Sequence, residues 1–445
     1  MKRDIFILLA VSVIVILFNL GSGSLSSWDE AFYAEVSREI VQSNNWIDLT
    51  WGGAPWSDKP PLYMWVTAFF YTFFGVNEFA TRLFSGLCGM GTVIVTYLFA
   101  AKLFSRKAGL LSAVMLMSTY HFLWFARMGT LDVTFTFFLF LSAYFILRAE
   151  DDPFEMIYSF IFFAGAFMTK GIGAFLLPAI AIFYILAAGK WKLVFNRFTA
   201  IGLFIFAALA GAWYYIEFLH YGKAFLDGIF KTHLIGRTTA AMDGHTGTWL
   251  SYINAVLYKG KPWGMAAFVA LPFFLYDALR HRKEKMLLPV IWVFTVLVVF
   301  TAVKTKLHWY IMPVYPALSV IAGWGAEKFL KKYAFPAVVL VSCVSVLYFG
   351  VKKDLWALDF NPSVKSFYSK VAGTLEEGKE LYLCDISDPG MRFYFGGRAR
   401  FVNDKKGLSA AEKGNTVVVV PKDKVLEVAG KVIVDDGSGY VAVEY

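Results

Sequence analysis

The 445-residue chain is predicted to be a polytopic α-helical membrane protein, with a long first external loop carrying interfacial helices and a small C-terminal α/β domain. Three observations predict it. The chain is 58% hydrophobic and only 17% charged, where a soluble domain carries about 25% charged residues. Its apolar residues fall in blocks approaching about 20 residues, the length that crosses a bilayer. After Lys352 the blocks give way to short alternating runs separated by Gly, Pro and Asp.

The N-terminal stretch resembles a signal peptide, but its apolar run is longer than a usual secretory core and no A-x-A site follows, so it reads as a retained first span. Further apolar segments lie near 79–101, 108–126, 131–148, 156–170, 172–188, 198–219, 263–279, 287–303, 309–327 and 333–350. With 5–21 these give about eleven spans. Segment 61–75 is apolar but short and opens on proline, which predicts an interfacial or re-entrant helix.

Charge then sets the topology. With a cytoplasmic N-terminus the inside segments are Lys2/Arg3, "KLFSRK", "RAEDDPFE", "KWKLVFNR", "RHRKEK" and "EKFLKK", nearly all basic as the positive-inside rule requires. Loops 22–78 and 220–262 and the tail fall outside. The net charge of +9 is explained by these loops and gives no reason for a nucleic-acid partner. Cys88, Cys343 and Cys384 are scattered and form neither a disulfide framework nor a paired metal spacing. In the tail, "ELYLCDI", "NTVVVVP", "KVIVDD" and "YVAVEY" read as strands of a domain of about 90 residues.

Four constellations carry candidate chemistry. Asp29 and Glu30 follow the first span within a loop that holds Trp28, Trp46, Trp51, Trp56 and Trp65. Ionisable groups at a membrane edge are costly unless paired or functional, although Asp132, which opens a span, could equally cap its helix. Glu35, Arg38 and Glu39 read as a solvated helix face. In "WSDKPPLYMW" the prolines stiffen the chain and hold Lys59 at headgroup depth, where it suits a phosphate or merely snorkels. In "KTHLIGRTTAAMDGHTGTW", His233 and Arg237 share a helix face at i, i+4, and His245 follows. His233 with Asp58 could hold a divalent ion such as zinc, a weak donor set. In "VKTKLHWYIMPVYP", Lys304, Lys306, His308 and Tyr310 crowd an outer turn where cations run against the topological bias. Arg127 and Lys170 share that position, and such cations call for an anionic ligand.

The ordered motifs W-D-E-x-x-Y-A-E (which contains Tyr33), D-K-P-P-L, N-E-F-A-x-R-L, A-R-x-G-x-L-D, T-K-G, H-x-x-x-R and K-T-K-L-H-W-Y-x-x-P-x-Y-P resemble the bacterial aminoarabinose transferases, which modify lipid A and are relatives of the protein O-mannosyltransferases. The resemblance covers residues 26 to 318. It implies a glycosyltransferase of the GT-C architecture in the bacterial inner membrane. The donor would be a polyprenyl (undecaprenyl) phosphate sugar and the acceptor a lipid or a protein, with site and tail in the periplasm. It further implies that Asp29, with Glu30 beside it, lies at the reaction centre and Asp132 near it, and that Lys59 and Arg237 contact the lipid phosphate. On the charge reading, Arg127 and the turn residues Lys304, Lys306 and Tyr310 join that phosphate set, and Tyr33, Lys170, His245 and His308 complete the pocket. Asp58 and His233 would be the metal ligands, although the family usually has Glu at the place of Asp58. The expected division is 1–352, with loops 22–78 and 220–262 forming the site, and 353–445, in a chain acting as a monomer. A transporter of the lipid-linked sugar is the competing class, and the absence of an internal repeat in the sequence disfavours it.

Overall fold

The computed structural model describes residues 1–229, 236, 246–376, 378–411, 414–428 and 430–445. They form two compact units: Met1–Phe18, Ser57–Val66 and Arg82–Trp356 make the first, and Asn19–Trp56, Thr67–Thr81 and Ala357–Tyr445 the second. The expected boundary at 352/353 therefore does not separate them. Most of loop 22–78 lies in the same unit as the tail.

The first unit is helical. Among the described residues six helical stretches are long and apolar enough to cross a membrane, eight if each of two bent pairs counts as one span. Two of the six, Glu155–Ala188 and Val314–Lys352, run to 34 and 39 residues, which at about 1.5 Å per residue exceeds a hydrocarbon core of about 30 Å. Each is interrupted by a short 3-10 turn, at Gly171–Phe175 and Lys331–Tyr333. The Leu62–Phe74 helix is apolar but shorter than a span.

Helices Leu131–Ala149 and Glu155–Lys170 illustrate the packing. Pro153 and the Asp152 carboxylate, which accepts from Phe154 N–H at 3.1 Å, turn the chain back. Ser142 then donates to Ser159 O at 2.7 Å across the pair. Small polar side chains let membrane helices approach and satisfy one another. Where these helices meet at the turn, Lys102 and Lys285 pair with Asp151 at 2.5 and 3.0 Å, and Lys190 pairs with Glu150 and Glu284 at 3.2 and 3.1 Å. Four loops expected on one side of the membrane thus share one face.

In the second unit the helix Asp29–Ser43 ends on left-handed Asn44. A two-strand hairpin follows, β1 (Thr50–Trp51) and β2 (Ala54–Pro55), turning through Gly52 and Gly53 with φ of 63° and 76°. Two positive φ values are what a tight hairpin of this twist demands. The tail folds into strands β3 (Glu380–Cys384), β4 (Ala399–Val402), β5 (Thr416–Pro421), β6 (Lys431–Asp435) and β7 (Tyr440–Glu444), in the order β4-β3-β5-β7-β6. β3 runs parallel to both β4 and β5, as the α/β reading of the tail expected. Leu381, Leu383, Val417 and Val419 bury one face with Phe367 and Met391, while Tyr382, Cys384, Val418 and Val420 bury the other.

Candidate active site

At the end of the first unit away from the ion-pair ladder, Pro60 and Pro61 lead into the helix Leu62–Phe74. Lys59 stays partly exposed and donates to the Asp58 carbonyl at 3.1 Å, and the Asp58 side chain is exposed. A Cβ at Gly171 would lie 3.6 Å from Pro60 Cγ and 3.2 Å from the Tyr214 hydroxyl, so the D-K-P-P and T-K-G motifs are neighbours. Tyr63 reaches Ser85 at 3.3 Å, and Ser85 donates to Thr130 O at 2.8 Å. That chain places the start of the Leu131–Ala149 helix at the same corner.

Asp132 sits in the first turn of that helix and is not its cap, a place held by Thr130. It is buried and pairs with Lys170 at 2.5 Å, and Lys170 lies over the Tyr310 ring at 5.0 Å and the Phe135 ring at 5.5 Å. Asp132 lies in the first turn of its helix and Lys170 is the last residue of its own. The corner therefore brings together Lys59, Asp132, Lys170 and Tyr310.

The other expected cations are arranged differently. Arg127 is 1% exposed and donates to the carbonyls of Leu355 (2.9 Å) and Ile16 (2.7 Å), with Trp356 stacked at 5.3 Å. Its guanidinium is committed to main chain rather than held toward a ligand. Lys306 donates to the carbonyls of Phe300 (3.1 Å), Thr301 (2.5 Å) and Val303, closing the end of the Leu287–Ala302 helix. Lys304 is exposed. His308 hydrogen-bonds His121 at 2.9 Å, and His121 bonds the Tyr315 hydroxyl at 2.6 Å. Burial, and secondarily the charge of Lys259, hold the His308 imidazole at a pKa of about 4. Sequence reading missed His121, because a lone His among Tyr, Phe and Trp reads as core. Its position just before the A-R-x-G-x-L-D motif was the available signal.

In the second unit Asp29 opens the Asp29–Ser43 helix, partly exposed, and buried Glu30 accepts from Ser26 N–H at 2.9 Å. Tyr33 is buried and tilts against Trp56 with ring centres 6.3 Å apart. The reading of Glu35, Arg38 and Glu39 as a solvated face is corrected. Glu35 and Arg38 are buried as an ion pair, with Arg38 Nε 2.8 Å from Glu35. Burial raises the Glu35 carboxyl above its ordinary range, while Arg38 pulls it back. Glu39 accepts from Gly52 N–H at 2.6 Å and holds the hairpin.

His233, Arg237 and His245 lie outside the described residues. Among the described residues no group of three or more His, Cys, Asp or Glu side chains assembles a metal site.

A bundle of apolar helices with an acid–lysine pair and a second lysine at one end, together with a small α/β unit, is the architecture of a membrane glycosyltransferase of the GT-C class. Comparison with known proteins narrows it. A family model for dolichyl-phosphate-mannose-protein mannosyltransferase matches residues 58–215. An uncharacterized protein of Aquifex aeolicus is 30% identical over 79% of each chain. The undecaprenyl phosphate-alpha-4-amino-4-deoxy-L-arabinose arabinosyl transferase 1 of Pseudomonas fluorescens is 28% identical over 78% of this chain and 64% of its own. The crystal structure of ArnT from Cupriavidus metallidurans bound to undecaprenyl phosphate superposes with a TM-score of 0.85, at 21% identity, over 98% of this chain and 97% of that one. The chain belongs to the GT-C superfamily of polyprenyl-phosphate-sugar transferases that contains the aminoarabinose transferases and the protein mannosyltransferases. It spans a little under two thirds of the length of the Pseudomonas fluorescens transferase.

Proposed function

We propose that the protein moves a sugar, of the aminoarabinose type, from undecaprenyl phosphate to lipid A or a similar glycolipid, with inversion, at the periplasmic face of the bacterial inner membrane. It crosses the membrane about eleven times, with its N-terminus and basic loops inside, and acts as a monomer. The observation that carries the reading is the corner where Lys59 stands partly exposed beside the buried Asp132–Lys170 pair, on a chain similar in sequence to transferases named for this donor.

In the reaction an acceptor oxygen forms a bond to the anomeric carbon as the carbon–phosphate oxygen bond breaks, and the electron pair leaves on the polyprenyl phosphate. Lys59, with Arg237, stabilises that charge as it develops, which fixed donors do best in a site closed to water. The Asp132–Lys170 pair is internally neutral and holds Tyr310 in the wall. With a hydroxyl acceptor Asp29 takes the proton as general base. With a phosphate acceptor, already ionised, Asp29 positions the acceptor or the sugar.

A second reading, transfer to Ser or Thr hydroxyls of a protein, is favoured by the family description matched over residues 58–215. The test is transfer by full-length protein in detergent, using labelled donor with lipid A or a Ser/Thr-rich protein as acceptor. Labelled lipid A is the expected product, and Asp29→Asn should lower kcat by about 10²- to 10⁴-fold. Labelled protein alone would select the second reading, and lipid movement by proteoliposomes without transfer would reject both.

A further inference from the structure

We propose that the C-terminal α/β domain positions Asp29, acting through Asp359, Asn361 and Tyr394 on the residues that lead into the Asp29–Ser43 helix. This rests on the reading of Asp29 as the reaction-centre acid. Asp29 is the first residue of its helix, so the segment just before it fixes where the carboxylate stands.

That segment is bonded to the tail at Ser24, Leu25 and Ser27. Ser24 N–H donates to Asp359 Oδ1 at 2.9 Å, and the Ser24 hydroxyl donates to the same oxygen. Asn361 N–H returns a bond to the Ser24 hydroxyl at 2.6 Å, and the Asn361 amide donates to the Ser27 hydroxyl. Leu25 N–H donates to the Tyr394 hydroxyl at 3.0 Å, which in turn donates to Glu78 at 3.1 Å. Gly23 packs so closely that a Cβ there would lie 2.2 Å from Leu358 O. Further along the same helix, Arg38 donates to Gly396 O at 2.5 Å.

The bonds at Ser24, Leu25 and Ser27 are polar and directional and fall just before Asp29, while Leu25, Ala31 and Ala34 also pack with Phe393 in a small apolar cluster. The apolar cores of the sheet, by contrast, are built wholly from residues of the tail itself. Removing these bonds leaves both sheet cores intact and loosens the segment that aims the acid. A misplacement of about 1 Å at a reacting group lowers turnover by as much as about 100-fold.

The experiment uses full-length protein and the labelled-donor assay. Asp359→Ala and Tyr394→Phe should each lower kcat by about 10- to 100-fold, with donor KM near that of the wild type. Asp359→Asn, which keeps an oxygen for the Ser24 N–H, should restore kcat. Thermal unfolding of all three should stay close to wild type. The proposal is overturned if Asp359→Ala turns over like wild type while Asp29→Asn is inactive, or if Asp359→Asn is as impaired as Asp359→Ala. If Asp29→Asn itself keeps full activity, the underlying reading of Asp29 falls instead.

Discussion

Two lysine-bearing corners of the helical unit, joined where Lys170 lies over Tyr310, look alike in sequence and differ in structure. Residues 57–66 and 303–316 each carry lysine beside proline and aromatic residues. At the first, Lys59 remains partly exposed, its ammonium on the carbonyl of its own neighbour. At the second, Lys306 turns back onto three carbonyls at the end of the Leu287–Ala302 helix. The difference is one of position relative to a helix C-terminus. Lys306 follows a helix end by four residues and finds unpaired carbonyls within reach, which cations satisfy well. Lys59 precedes Pro60 and Pro61 at a helix start rather than a helix end, and donates to the Asp58 carbonyl. Lys59 keeps part of its side chain exposed there.

The largest expected effect falls on the first corner. Lys59→Ala should lower kcat by about 10²- to 10³-fold, or roughly 3 to 4 kcal/mol of transition-state stabilisation. Lys59→Arg should recover part of it, since the charge stays while the point geometry is lost. Single-turnover transfer from labelled donor measures both. A Lys59→Ala enzyme within a few-fold of wild type would remove the distinction between the corners.

Much of this arrangement was legible in the sequence. The apolar blocks gave the helices and the basic loops shared one face, because membrane length and charge bias act locally. The order of motifs placed Lys59, Asp132 and Lys170 in one family pattern, and the structure draws them to one corner. The burial of Glu35 and Arg38 was not legible. A helix of mixed polarity looks solvated until its partner is known, and here the partner is Gly396, 358 residues away from Arg38. The inward turn of Arg127 was hidden for the same reason, since its acceptors are carbonyls at Ile16 and Leu355. Side chains that bond main chain leave no residue-type signature at the other end.

The second corner has its own measurable signature in His308. Its folded pKa, about 4, lies below the ordinary 6.5 because the ring is packed against His121, Phe125 and Trp309 and feels the charge of Lys259. Between those values the unfolded chain binds the extra proton and the folded one does not. Stability is therefore full above pH 6.5 and is lost as pH falls toward about 4, by up to about 3 kcal/mol. Thermal unfolding in detergent from pH 7.5 to 4.5 should fall more steeply for wild type than for His308→Gln. Parallel curves would mean that the imidazole carries its proton in the fold, and that this corner is as open to ions as the first.

The smallest effect tests the comparison most directly. If Lys306 is a helix cap, Lys306→Ala removes a cation from a helix C-terminus and should cost about 0.3 to 1 kcal/mol of stability. Turnover should stay within about threefold of wild type, because that energy is present equally with and without substrate and cancels from the barrier. Unfolding midpoint and kcat measured on one preparation decide it. A drop in kcat comparable to that of Lys59→Ala, without a shift in unfolding, would mean that the ammonium leaves its carbonyls for the donor phosphate during turnover. The three carbonyls would then be a resting place, and proximity to a helix end would no longer separate a structural lysine from a functional one.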